Sequence, residues 1–213
     1  MRSVLDRFLR YVTYDTQSRE GASTYPSTPG QLVLLNDLVA ELRAMGLADA
    51  GIDEYGYVMA TIPSSTTKPN VPVIGFIAHV DTSPEMSGAG VKPIVHPHYD
   101  GRDLALPDDP SAVLRVADSP YLGECLGHDI VTASGTTLLG ADNKSGVAEI
   151  MTAAAYLLAH PTLGIANTVP SKDRWIGWAL YFFFESFSAF LSTSFWSFAN
   201  SVNKPKDAKN FYG

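Results

Sequence analysis

The stretch Val73-Ile74-Gly75-Phe76-Ile77-Ala78-His79-Val80-Asp81-Thr82 decides the reading of this chain. Six apolar or small residues without polar alternation predict a central strand covered on both faces. At its end an imidazole and a carboxylate follow two residues apart, on the same side of the pleat. A second junction of this kind is Leu138-Leu139-Gly140-Ala141-Asp142-Asn143-Lys144-Ser145-Gly146, with an acid at the tip of an apolar run. Strand ends are the usual place for sites in open α/β sheets. A His and two Asp gathered there suit a two-zinc hydrolase: His79 binds one metal, Asp142 bridges both, and Asp81 orients the imidazole or the water. Taken singly, each motif is more often structural, His79 as a satisfied residue and Asp142-Asn143 as a helix cap.

Working outward, residues 2–13 carry Val4, Leu5, Phe8, Leu9 and Val12 at helical spacing and predict a first helix. Thr28 as N-cap and Pro29 at the first helical position open a second. Leu32, Leu35, Leu38, Val39 and Leu42 form its apolar stripe, and Gly46 its left-handed stop. Ile52 to Ile62 reads as a hairpin turning near Gly56. From Thr82 to Gly127 the chain is loop-rich, a length that usually shapes a site or a partner surface. Ile130-Val131-Thr132 and Thr136 to Leu139 read as short strands, and Asn143 to about Ala159 as a helix ended by His160-Pro161. This order predicts an α/β domain with a mixed β-sheet flanked by helices.

Composition bounds the function. The 213 residues are 46% hydrophobic, enough for a sizeable core, and the net charge of −7 without a basic patch argues against a nucleic-acid partner. Cys125 is the sole cysteine, so no intrachain disulfide forms. The N-terminus reads as an amphipathic helix and not a signal peptide, so a cytoplasmic location is the default expectation. Charge and texture break near Gly164. Residues 1–164 hold 10 Lys+Arg against 19 Asp+Glu, whereas residues 165–213 hold 5 against 3 and are crowded with Phe, Trp and Ser.

His79 to Pro84 and Thr137 to Met151, with Tyr14-Asp15-Thr16-Gln17-Ser18, Ser27-Thr28-Pro29-Gly30-Gln31 and His98-Tyr99-Asp100-Gly101, closely resemble the peptidase T family. Those tripeptide aminopeptidases belong to the aminoacylase and carboxypeptidase-G type of co-catalytic zinc peptidases. The resemblance covers about residues 1–164, as an N-terminal fragment of an incomplete zinc-exopeptidase domain. It implies a zinc-dependent aminopeptidase releasing the N-terminal residue of short peptides, with two zinc ions per complete site. It further implies His79 and Asp142 as metal ligands and Asp81 as the acid that fixes the His79 tautomer.

The chain departs from the family beyond that. Where a Glu-Glu pair of general base and ligand is expected, Asp173-Arg174-Trp175-Ile176 stands, and Glu185 is a weak substitute for the base. Residues 165–213 read as a tail foreign to the family, truncated, misjoined or frameshifted. Trp175 to Ala199 is long enough to span a bilayer, but its Ser and Thr content weakens that reading. The expected state of the chain as written is inactive, and the alternative is a non-catalytic remnant acting as a binding or membrane-tethered module. His96-Pro97-His98 reads as a solvated loop before a metal pair. Lys144-Ser145 lacks the glycine-rich run of a phosphate loop.

Overall fold

Ser3 starts the first helix, α1 (Val4–Tyr11), by a reciprocal cap: its hydroxyl accepts the Asp6 N–H at 3.0 Å, and the Asp6 carboxylate accepts the Ser3 N–H at 3.0 Å. The computed structural model describes residues 2–65 and 69–161. Helix α2 (Pro29–Ala44) begins at Pro29, as its sequence predicts, and stops before Gly46 at φ +97°. Thr28 precedes it in extended conformation but does not cap it; its hydroxyl donates to the Gln17 carbonyl at 2.7 Å instead. The buried stripe of α2 is Leu34, Leu35, Leu38, Val39 and Leu42, while Leu32 is exposed. The stripe read from sequence thus holds except at its start, where Leu34 takes the place of Leu32.

Strands β1 (Gly51–Ile52) and β2 (Val58–Met59) pair antiparallel around Gly56, at φ +91°, where a left-handed turn suits glycine. Further on come β3 (Ile94–His96), β4 (Leu104–Leu106), β5 (Asp109–Leu114), the short helix α3 (Pro120–Glu124), β6 (Ile130–Thr132) and α4 (Ala141–Ala159). These strands pair two by two: β1 with β2, β3 with β6, β4 with β5. The class is mixed α/β as expected, but the described residues form small two-stranded sheets in place of one mixed sheet. Two compact units divide them. One runs to Ile94 and includes Pro107–Asp109 and the chain from Val131; the other holds Val95–Leu106 and Pro110–Ile130. The long loop read between Thr82 and Gly127 therefore contains three strands and a helix, its turn-rich composition marking tight connections and not one open loop. Thr136 to Leu139 forms no strand: the chain bends from Gly135 to Thr137, and the Leu138 N–H donates to the Ser87 carbonyl at 3.0 Å.

The sharpest correction concerns Val73–Ala78. This run belongs to none of the sheets, and Val73, Ile74 and Ile77 are 95%, 74% and 94% exposed. An apolar run is a buried strand only if other segments supply a ladder and two covering layers, and the described residues do not supply them here.

The core of the first unit joins Phe8, Tyr11 and Val12 of the α1 region to Leu34, Leu35, Leu38 and Leu42 of α2 and to Val147, Ala148 and Met151 of α4. Val80 reaches into this same core from between His79 and Asp81. Burying each such aliphatic side chain contributes about 1.5–3 kcal/mol, so Val80 anchors the segment that carries the candidate site. A polar network ties the helices together: Glu41 accepts from Arg7 Nε at 2.8 Å and from the Tyr11 hydroxyl at 2.8 Å, and also pairs with Arg10. Burial, and then the Glu41 carboxylate, hold the Tyr11 phenol well above its ordinary range.

Candidate functional site

His79 stands between two carboxylates. Its Nδ1 lies 3.0 Å from Asp81 Oδ1 and 3.1 Å from the Asp81 carbonyl; its Nε2 lies 3.1 Å from Asp142 Oδ1. All three side chains are about half exposed. Residues 63 positions apart are thus brought together at one accessible point of the first unit.

The surrounding segments explain how. Thr16, fully buried, donates its hydroxyl to the Val80 carbonyl at 2.6 Å. Thr82 N–H donates to the Thr16 carbonyl at 3.2 Å, and Ser18 N–H to the Thr82 carbonyl at 2.9 Å, so Gln17 and Thr82 form a parallel bridge. Gln17 also donates from Nε2 to the Pro84 and Met86 carbonyls. The loop after α1 therefore clamps both sides of the His79–Asp81 turn.

Asp142 is presented by a break at the start of α4. Asp142 and Asn143 have non-helical φ/ψ, and the peptide between them is cis. The regular helix begins behind them, where Asn143 Oδ1 accepts the Gly146 N–H at 3.2 Å. Asn143 is thus the side-chain cap, and the Asp142 carboxylate is left to face His79. Two residues past Asp142, Lys144 is 1% exposed and its ammonium donates to the Tyr14 carbonyl at 2.7 Å. Burial pushes this ammonium down to about 8, against the pull of the nearby Asp15 carboxylate. Lys144 thereby joins the Asp142 junction to the Tyr14–Ser18 loop. Sequence reading set Lys144 aside as a failed phosphate loop; its one available signal was a lysine at the inward-facing start of an apolar helix.

The donor set fits one corner of a metal centre. Two ligands about 2.0–2.2 Å from a tetrahedral zinc stand roughly 3.3 Å apart, close to the Nε2–Oδ1 distance here. If Nδ1–H is donated to Asp81, the Nε2 lone pair faces a carboxylate, an arrangement that a cation or a proton between them stabilises. The corner is incomplete: among the described residues, no group of three or more His, Cys, Asp or Glu could hold a metal ion. Asp173, Glu185 and Trp175–Ala199 lie outside the described residues, as does the break at Gly164. His96 and His98 belong to the second unit, where they line a cavity of about 380 Å³ with Tyr99 and Arg102. Cys125, also there, donates its thiol to the Tyr121 carbonyl. No described helix is long and apolar enough to cross a membrane.

No protein-family model matches the chain. Individual relatives do. A peptidase T of Clostridium novyi (strain NT) is 46% identical over 192 residues, which is 89% of this chain and 47% of the relative. The peptidases T of Geobacillus sp. (strain WCH70) and Bacillus subtilis (strain 168) are each 52% identical over 176 residues, 82% of this chain and 43% of theirs. The chain spans somewhat less than half the length of these relatives. Identity of this order, sustained over more than four fifths of the chain and shared by several such proteins, establishes that the chain belongs to the peptidase T family.

Proposed function

We propose that this chain supplies part of a zinc-dependent aminopeptidase centre that releases the N-terminal residue of tripeptides in the cytoplasm. The observation that carries the reading is His79 held between Asp81 and Asp142, in a member of a family whose name denotes a peptidase. In this proposal His79 and Asp142 are the side chains that would hold the zinc. When bound, the zinc pair supplies Lewis-acid activation of water and of the scissile carbonyl. Asp81 accepts the Nδ1 proton, which fixes the tautomer and keeps the Nε2 lone pair directed at the metal. Lys144 and the Tyr14–Ser18 loop keep the two acid-bearing turns in register.

Two donors fall short of the three protein ligands usual for a catalytic zinc. A lost general base costs a further factor of roughly 10²–10⁴. The chain as written is therefore proposed not to hydrolyse tripeptides at a useful rate, which leaves a non-catalytic remnant as the second reading. A chimera tests the functional one. Residues 1–164 are placed in the Bacillus subtilis relative in place of the part they match. The chimera should release the N-terminal residue of tripeptides and lose this activity on His79→Ala. A folded chimera that is inactive, or active without His79, contradicts the proposal.

A further inference from the structure

The two turns that carry Asp81 and Asp142 touch at Gly140. This residue has φ +76°, and a Cβ on it would stand 3.2 Å from the Thr82 methyl, 3.5 Å from the Lys144 ammonium and 3.6 Å from Lys144 Cδ. Thr82 follows Asp81 directly, and Gly140 precedes Asp142 by two residues. Both neighbours of Gly140 are buried, Thr82 at 4% exposure and Lys144 at 1%. From here the contacts close into a ring. The Lys144 ammonium donates to the Tyr14 carbonyl at 2.7 Å, and two residues on the Thr16 carbonyl accepts the Thr82 N–H at 3.2 Å. The Thr82 carbonyl in turn accepts from both the N–H and the hydroxyl of Ser18, at 2.9 and 3.0 Å. Three segments distant in sequence are thus locked around one glycine.

Thr82 and Lys144 enter this ring differently. Thr82 Oγ1 is buried and has no hydrogen-bond partner among the described residues, so the side chain acts through the methyl that faces Gly140. A buried ammonium is stable only where its hydrogen bonds are made, which fixes Lys144 on the Tyr14 carbonyl. A metal site needs its donors held to within about 0.5 Å by packing and by hydrogen bonds behind them, and the ring supplies both. We propose that Thr82 and Lys144 are positioning residues that set the 3.1 Å spacing of His79 Nε2 and Asp142 Oδ1, without themselves serving as ligands. The inference deepens the zinc reading and rests on it for zinc affinity alone, since the spacing exists without metal.

Nitrogen-15 NMR of the His79 ring in the metal-free full chain, followed by zinc calorimetry, tests it. Lys144→Met keeps much of the side chain's length and removes the ammonium. It should move the His79 Nε2 signal and weaken zinc binding about 10–100-fold, the loss that outer partners of a metal ligand cause. Leu38→Ala truncates a core side chain outside the ring. It should lower the thermal midpoint and leave the His79 signal in place, which separates positioning from stability. Thr82→Val keeps the methyl and Thr82→Ser keeps the hydroxyl, so Thr82→Ser should move the signal further and bind zinc more weakly than Thr82→Val. This pair also decides the matter if Lys144→Met does not fold. The proposal is overturned by a folded Lys144→Met with an unmoved His79 signal, by Leu38→Ala moving it as far, or by Thr82→Val disturbing it as much as Thr82→Ser or more. A wild-type chain that binds no zinc sinks the zinc reading instead, and the metal-free signals still decide this one.

Discussion

His79 can serve a metal only if its ring is held from the far side, and Asp81 does this at 3.0 Å. Asp81→Asn should therefore lower zinc affinity about 10–100-fold while leaving the fold intact, as outer-shell changes do; calorimetric titration with zinc measures it. Thr16 acts further out, through the Val80 carbonyl. Thr16→Val leaves that buried acceptor unsatisfied and should cost about 1–3 kcal/mol in urea unfolding. His79, Asp81 and Asp142 were legible in the sequence because each ends an apolar run, where the local pattern itself presents a side chain. Lys144 and the Tyr14–Ser18 clamp were not, since the bond from Lys144 to Tyr14 crosses 130 residues and leaves no periodic trace.

At the scale of elements, helix placement depends on close approaches and buried charge. A Cβ at Gly30, in the first turn of α2, would collide with the backbone carbonyl of Asp15. Gly30→Ala should cost about 1–3 kcal/mol despite the better helix propensity of alanine, because the obstacle is backbone and cannot rotate away; thermal unfolding tests this. Glu41→Gln removes the charge that compensates the buried Arg7 guanidinium and should cost about 3 kcal/mol or more. Acid pH acts on α1 through Asp6. Hydrogen bonding to Ser3, first through its side chain and then its N–H, holds the Asp6 carboxyl below its ordinary 3.8. This contribution is complete above the ordinary value and is lost as pH falls through the lower folded one. Asp6→Asn should flatten the acid limb of a pH titration of helicity. Helices were readable because capping and 3.6-residue periodicity are local. Val73–Ala78 was misread because burial on two faces is a property of its neighbours.

Across the whole chain, family membership and a two-donor corner lead to one central proposal: that His79 and Asp142 would share a divalent ion. The five histidines, at positions 79, 96, 98, 128 and 160, make that claim directly measurable. Zinc titration of the full chain, followed by nitrogen-15 NMR of the imidazole rings, should shift His79 at Nε2 before the other four. That shift should disappear in Asp142→Asn. Zinc that moves the other histidines first, or moves His79 equally in the wild type and in Asp142→Asn, would contradict the account.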